Sequence, residues 1–288
     1  MHDLKYQLKQ LCQRNHDGSF NTRSDRQKLL LQMADQLYEL GFRNLKATNL
    51  KPKHVTALVQ YWQAQSLSEG SIKNRMAEIR WWAQKTARQN VVARSNDFYG
   101  IARREIIPRH SKARELTPTQ LEAISDPYVK MSLKLQAAFG LRSEESIKIS
   151  PHWADRGTIL ALKESWTKGG RAREIPITHP EQREVLNEAK ALTGEGCLIP
   201  AELRYIDQRN KYAYQCRLAL IRNPHGHRHR YAQLRYRELT GWDCPAVGGP
   251  RLRALSPEKR HLDQLARLQI SREMGHYRES ITAVYCGR

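Results

Sequence analysis

Six residues between positions 142 and 285 combine the side-chain types needed to break and remake a phosphodiester: Arg142, Lys168, His225, Arg228, His276 and Tyr285. A tyrosine hydroxyl has a pKa of about 10 and is a poor nucleophile at neutral pH. Nearby cations lower the cost of ionising it, and a histidine can accept or orient its proton. Arg142 and Arg228 can each offer a planar fork of donors to the non-bridging phosphate oxygens, a match that lysine cannot make. Negative charge builds up on those oxygens during attack, so fixed cations favour the transition state. The set predicts an enzyme that cuts and rejoins a DNA strand through a phosphotyrosyl link. It requires no metal, nucleotide or other cofactor.

Four short segments carry these residues. The first runs Ala138-Phe139-Gly140-Leu141-Arg142-Ser143-Glu144-Glu145 and the second Lys168-Gly169-Gly170-Arg171-Ala172-Arg173-Glu174-Ile175-Pro176. The third is His225-Gly226-His227-Arg228-His229, and the fourth is Met274-Gly275-His276 with Tyr285 nine residues on. Any one of them is weak evidence. In this order and with this internal spacing they resemble the tyrosine recombinase (phage integrase) family. The first segment is similar to its Gly-Leu-Arg-x-x-Glu box, the second to its lysine-bearing hairpin and the third to its His-x-x-Arg box. The fourth is similar to its Leu-Gly-His segment followed by the nucleophile.

The resemblance implies roles. Tyr285 is the nucleophile, Arg142 and Arg228 hold the phosphate, and Glu145 supports Arg142. Lys168, on a mobile hairpin turn, protonates the leaving 5′ oxygen. His225 accepts or organises the tyrosine proton, and His276 hydrogen-bonds the phosphate. The product is a 3′-phosphotyrosyl enzyme with a free 5′-hydroxyl, and the retained bond energy removes any need for ATP. The implied activity is site-specific recombination that integrates or excises a mobile element. The implied partners are a double-stranded recombination site, three further copies of the chain in a tetramer on DNA, and an accessory DNA-bending protein. Off DNA the protomers are expected to be monomeric or weakly associated. Type IB topoisomerase-like relaxation and a catalytically inactive DNA-binding protein of the same fold are the alternatives. His227 departs from the family by standing where leucine is usual. Residues 240–260 look like an insertion. Only Cys286, Gly287 and Arg288 follow Tyr285, where many relatives carry a helix that docks into a neighbouring subunit.

Bulk properties agree with a nucleic-acid partner. The 288 residues carry a net charge of +20 with a sequence pI near 10.0. Charge of that size self-repels unless a polyanion screens it. The cations run along the whole chain, which favours broad folded surfaces over a basic tail. Five cysteines without a CxxC pair point to a reducing compartment. No apolar signal core or membrane-length stretch is present, so no membrane partner is expected and the expected location is the bacterial cytoplasm, at the nucleoid. His225, His227 and His229 alternate, but no acid or cysteine cluster completes a metal-ligand pattern.

The elements that must hold these residues are mostly helical. Leu29, Met33, Leu37 and Leu40 mark one helix face closed by Gly41. Pro52 opens a second helix, with Val55, Leu58, Val59 and Trp62 inward, and Ser68 caps a third, with Ile72, Met76, Ile79 and Ala83 inward. Trp81 and Trp82 belong with that core. Lys73, Arg75, Arg80, Lys85 and Arg88 lie on its other faces as candidates for phosphate contact. Helices are predicted over 118–125, 127–140 and 180–191. Strands over 158–162 and 173–177 form a hairpin around Lys168, with room for a third strand. The fold class is therefore mainly α with a small antiparallel sheet. A helical core-binding DNA-binding domain (1–108), a linker (109–116) and a catalytic domain (117–288) would form a C-shaped DNA clamp.

Overall fold

The computed structural model describes residues 2–103, 107, 110–276 and 278–288. The chain divides into two compact units, Met1–Glu105 and Ile106–Arg288. Arg104, Glu105, Ile106 and Pro108 at the end of the expected first domain, and Arg109 of the expected linker, lie outside the described residues.

Among its described residues the first unit contains four α-helices: α1 (Asp3–Arg14), α2 (Phe20–Glu39), α3 (Pro52–Ala64) and α4 (Glu69–Lys85). Ser19 and Ser68 cap α2 and α4, each hydroxyl accepting a backbone N–H of the first turn. Pro52 opens α3, where a missing N–H costs nothing. Leu30, Met33, Leu37, Leu58, Trp62, Met76, Ile79 and Trp82 form the centre of one buried core. Its two indoles keep their N–H groups satisfied: Trp62 donates to Gln36 Oε1 at 2.9 Å and Trp82 to Ala47 O at 2.8 Å. The buried face of α2 differs from the expected one. Leu30 and Ala34 replace Leu29 and Leu40 at its centre, and Leu40 is exposed beyond the helix end.

The second unit is built from nine helices and two strands among its described residues. Helices α5 (Pro118–Glu122), α6 (Pro127–Phe139), α7 (Ser143–Lys148) and α8 (Pro151–Ala154) precede β1 (Ile159–Leu162) and β2 (Arg173–Pro176). Then follow α9 (Pro180–Thr193), α10 (Tyr205–Leu218), α11 (His225–Thr240), α12 (Pro257–Glu273) and α13 (Glu279–Cys286). The strands pair antiparallel, Leu160 opposite Ile175 and Leu162 opposite Arg173. Asp155 makes only an isolated bridge to Leu160, so no third strand forms among the described residues. Helix α11 is the axis of this unit, with α6, α12 and α13 packed around it. Tyr231, Ala232 and Tyr236 put its inner face into the main core beside Phe139, Ile270 and Cys286.

The segment before α5 is docked onto α11. Arg114 N–H donates to Gly226 O at 3.0 Å, and Ser111 Oγ donates to Gln233 Oε1 at 3.0 Å. Helices over 118–125 and 127–140 end earlier than expected, at Glu122 and Phe139. The second stop is conformational. Gly140 sits at φ +61°, and a Cβ there would lie 2.5 Å from Tyr231 Cδ1. Gly140→Ala is expected to destabilise the second unit by about 2–4 kcal/mol, from left-handed strain plus overpacking. Urea denaturation would measure it.

Candidate active site

The first catalytic candidate is positioned by a helix start. After Gly140 the chain turns, and Arg142 becomes the N-cap of α7 with Glu145 three residues on. The Glu145 carboxylate accepts the Arg142 backbone N–H at 2.7 Å and the Arg142 Nη1–H at 2.7 Å. The R-x-x-E spacing is thus a local helix-capping device as well as a chemical one. Strand β2 alternates Arg173 and Ile175 inward with Glu174 outward. Arg173 thereby reaches the same carboxylate, donating from Nη1 at 2.8 Å and Nη2 at 2.6 Å. Its Nε donates to Glu273 O at 2.8 Å, tying β2 to the end of α12.

Helix α11 supplies His225, Arg228 and His229 from one side, because three- and four-residue steps share a helix face. Arg228 is 1% exposed. Its guanidinium donates to the carbonyls of Gly140 and Met274, which fixes it between the ends of α6 and α12. The turn Met274-Gly275 then delivers His276, and α13 delivers Tyr285. The Arg228 Nε–H lies 3.4 Å from the Tyr285 hydroxyl, and His276 Nε2 lies 3.3 Å from the same hydroxyl. Arg142 Nη2 and Arg228 Nη2 approach His276 Nε2 at 3.4 and 3.5 Å. Gln233 donates to the Tyr285 carbonyl at 2.9 Å, securing the backbone beneath the nucleophile candidate.

Guanidinium groups only donate, so His276 Nε2 must be the acceptor and its ring neutral. Burial and the charges of Arg228, Arg142 and Arg173 agree with that, pushing the His276 pKa down to about 4. His225 is lowered by burial and by Arg228 and Arg142. His229 is pushed down to about 4 by burial, then by His225, Lys112 and Arg228. Burial also lowers the Arg228 guanidinium, to about 10, which leaves it charged at neutral pH. For Glu145 burial acts upward, but the hydrogen bonds and charge of Arg173, with Arg142 and Arg228, bring it down to about 2. Two arginines therefore share one carboxylate and a third, Arg228, lies within its field, so the cluster around the Tyr285 hydroxyl carries an excess of two positive charges. A phosphodiester brings one negative charge, and a phosphorane-like state two, so the electrostatics suit the second best.

The structure brings Arg142, Glu145, His225, Arg228, His276 and Tyr285 together. The Tyr285 ring lies 6.1 Å from those of His225 and His276 and 4.7 Å from that of His229. Lys168 stands apart on the exposed turn between β1 and β2, followed by Gly169 and Gly170, both at positive φ. His227 points away from the cluster and is buried, its Nδ1 3.0 Å from Arg114 O. The alternating histidines lie on a helix, which sends His227 to the opposite side from His225 and His229. No group of three or more His, Cys, Asp or Glu among the described residues could hold a metal ion.

The cations singled out on α4 and just beyond it mostly have partners within the first unit. Arg80 Nη2 donates to Asn96 Oδ1 at 2.7 Å, Arg88 Nε to Thr48 O at 3.0 Å, and Lys85 pairs with Asp17 at 2.9 Å. Arg75 lies over the Trp62 ring at 5.3 Å, and Lys73 is half-buried on the same helix. Two site residues were not singled out from the sequence, Arg173 and His229. Arg173 could have been found as a lone cation at an inward position of a short apolar strand. His229 could have been found as the i+4 neighbour of His225 on a helix.

Residues 1–92 match the family model described as phage integrase, N-terminal, and residues 108–234 match the one described as integrase. The chain belongs to the tyrosine recombinase (phage integrase) family. Both matches end before His276 and Tyr285, so these two residues join the site on geometry alone. No curated protein matches the recombinase. Among solved structures, a lambda integrase dimer bound to a COC′ core site superposes with a TM-score of 0.62 at 13% identity, covering 99% of this chain and 96% of the other. The XerH site-specific recombinase bound to a palindromic difH substrate gives 0.60 at 16%, covering 98% and 80%. The Tn1549 transposon integrase in complex with circular intermediate DNA gives 0.56 at 15%, covering 100% and 96%. At these identities the likeness is one of fold.

Glu145 makes stability depend on acid. Its folded pKa of about 2 lies below the ordinary 4.5, so its contribution is complete above 4.5 and is lost as pH falls from there through about 2. The contribution is on the order of 3 kcal/mol. Glu145→Gln should lower stability at neutral pH and flatten this part of the acid dependence, measured by urea denaturation across pH.

Proposed function

We propose that this recombinase cuts and rejoins DNA strands at a specific site through a covalent link between Tyr285 and a 3′ phosphate, in the movement of a mobile element. The observation that carries the reading is the Tyr285 hydroxyl held between Arg228 Nε and His276 Nε2, inside a cluster of three arginines and one carboxylate. A neutral imidazole beside the hydroxyl takes its proton as the oxygen attacks phosphorus. His276 has the shorter reach to that hydroxyl in this arrangement, so the acceptor role that family resemblance gives His225 falls here to His276. His225 and His229 form the wall behind the tyrosine ring. Arg142 and Arg228 bind the non-bridging oxygens, and Arg173 keeps Glu145 ionised so that Arg142 stays oriented.

The leaving 5′ oxygen needs a proton, and Lys168 supplies it once the hairpin turn folds over bound DNA. Two consecutive glycines in that turn make such a movement inexpensive. The retained phosphotyrosyl bond is then attacked by the 5′-hydroxyl of another strand. The first unit and the basic faces of the second bind the duplex, with a net charge of +20 to be offset. A lambda integrase tetramer has been solved on a Holliday junction. By extension, four copies of this chain assemble on DNA from weakly associating protomers, with an accessory bending protein as a further partner. The work takes place on chromosomal DNA in the bacterial cytoplasm. No helix among the described residues is long and apolar enough to cross a membrane.

Tyr285→Phe should abolish the covalent protein–DNA adduct on a nicked suicide substrate while leaving DNA binding in place. An adduct that survives the change means another nucleophile. Lys168→Ala should slow cleavage of ordinary DNA by about 10²–10⁴-fold. Substrate with sulfur in place of the leaving 5′ oxygen should restore the rate, because a thiolate departs without a proton. Slowing that the sulfur leaves uncorrected would mean Lys168 does something else.

A further inference from the structure

The segment between α11 and α12 packs against the helix that carries the nucleophile candidate. Cys244 opens a single turn of 3₁₀ helix, Pro245–Val247, and Cys286 is the last residue of α13. Both side chains are fully buried in the same core cluster, and Cys286 Sγ–H donates to Ala232 O at 3.7 Å. The backbones are equally close: a Cβ on Gly287 would lie 2.8 Å from Ala246 N. Arg267 Nη1 donates to Gly287 O at 2.8 Å and Thr282 Oγ1 to Arg267 O at 2.9 Å, so the end of α13 is already latched to α12. Tyr285 precedes Cys286 directly and is 5% exposed. The 3.4 Å between the Tyr285 hydroxyl and Arg228 Nε leaves no room for a phosphate between them, so α13 must loosen to admit one.

We propose that Cys244 and Cys286 form a peroxide-responsive disulfide that locks the Tyr285 helix to the 241–256 segment and holds the recombinase inactive. The two sulfurs differ in the way such a pair needs. The neighbouring Cys286 thiol lowers the Cys244 thiol against burial, with further help from the N–H groups of Ala246 and Val247 and the charge of Arg267. The Cys244 sulfur, then burial, raises Cys286 well above the thiol range. Cys244 is therefore the sulfur that reacts first and Cys286 the one that resolves.

The Cys244 thiolate attacks one oxygen of hydrogen peroxide. The O–O bond breaks, hydroxide leaves and takes up the thiol proton as water, and Cys244 becomes a sulfenic acid. Cys286 sulfur attacks the sulfenic sulfur, and the displaced hydroxide leaves with the Cys286 proton as a second water. Two thiols and one peroxide give one disulfide and two waters. The excursion of α13 that frees Tyr285 also opens the thiols, so oxidation captures the working enzyme. A reducing compartment keeps the pair as thiols between such events.

The crosslink stands apart from the proposed activity. Its effect on cleavage rests on Tyr285 as nucleophile. The full chain is treated with hydrogen peroxide, digested without reductant and analysed by mass spectrometry. A peptide pair joined through Cys244 and Cys286, lighter by two hydrogen atoms, is expected. Amide exchange across α13 should slow. Adduct formation on the suicide substrate should be lost and return with dithiothreitol. Cys244→Ser should cleave DNA with and without peroxide, and Cys286→Ala serves as the second variant if the first fails to fold. Absence of the joined peptide, or a joined protein whose α13 exchanges as before, overturns the proposal. A reduced enzyme that forms no adduct defeats the reading of Tyr285 instead, and the peptide and exchange data still decide the lock.

Discussion

A single buried carboxylate organises the catalytic unit. Glu145 caps its own helix through the Arg142 backbone, orients the Arg142 side chain and receives both terminal nitrogens of Arg173. Without it the guanidinium groups of Arg142 and Arg173 would lose their shared acceptor, and the buried Arg173 charge alone would cost several kcal/mol. With it, the cluster folds and still keeps positive charge to spare. Removing the acid would be worse than never having built the site, because the arginines would stay behind.

The same economy runs through Arg228. Its buried guanidinium takes two carbonyls, one at the end of α6 and one just past α12, and leaves Nε toward Tyr285. Each carbonyl belongs to a residue at a helix end, where no intrahelical partner is available. The arginine thus satisfies orphaned backbone groups and is aimed by them. Gly140 makes this geometry accessible by turning left-handed against Tyr231. On the proposed roles, structural packing and phosphate chemistry are carried by the same bonds, and a substitution at either level disturbs the other.

Much of this was legible in the chain. Arg142 with Glu145, and His225 with Arg228, are spaced at three residues, and both pairs proved to be neighbours on helix turns. Ser19 was not singled out, whereas Ser68, Pro52 and the apolar steps of α3 and α4 marked their helices because caps and periodicity are local physics. What stayed hidden was decided by distant partners. Arg173 is meaningful only because a strand happens to face α7. The histidine alternation could be resolved only by knowing that it lies on a helix. Arg80, Lys85 and Arg88 read in sequence as candidates for phosphate contact, and their partners within the unit, backbone carbonyls, Asn96 and Asp17, lie far along the chain. Helices α10 and α12 lack a clean apolar stripe, since Gln208, Gln215, Asp263 and Arg267 are buried among their inward residues.

The exposed turn bearing Lys168 carries a consequence for fidelity. On the roles assigned above, strand breakage needs an unburied tyrosine and a lysine delivered from a separate loop at the same moment. Independent rare events multiply, so brief encounters with unrelated sequence almost never satisfy both. A cell can then stock this protein freely without accumulating stray nicks, because only a partner that holds on long enough, and bends both parts into place, is ever cut.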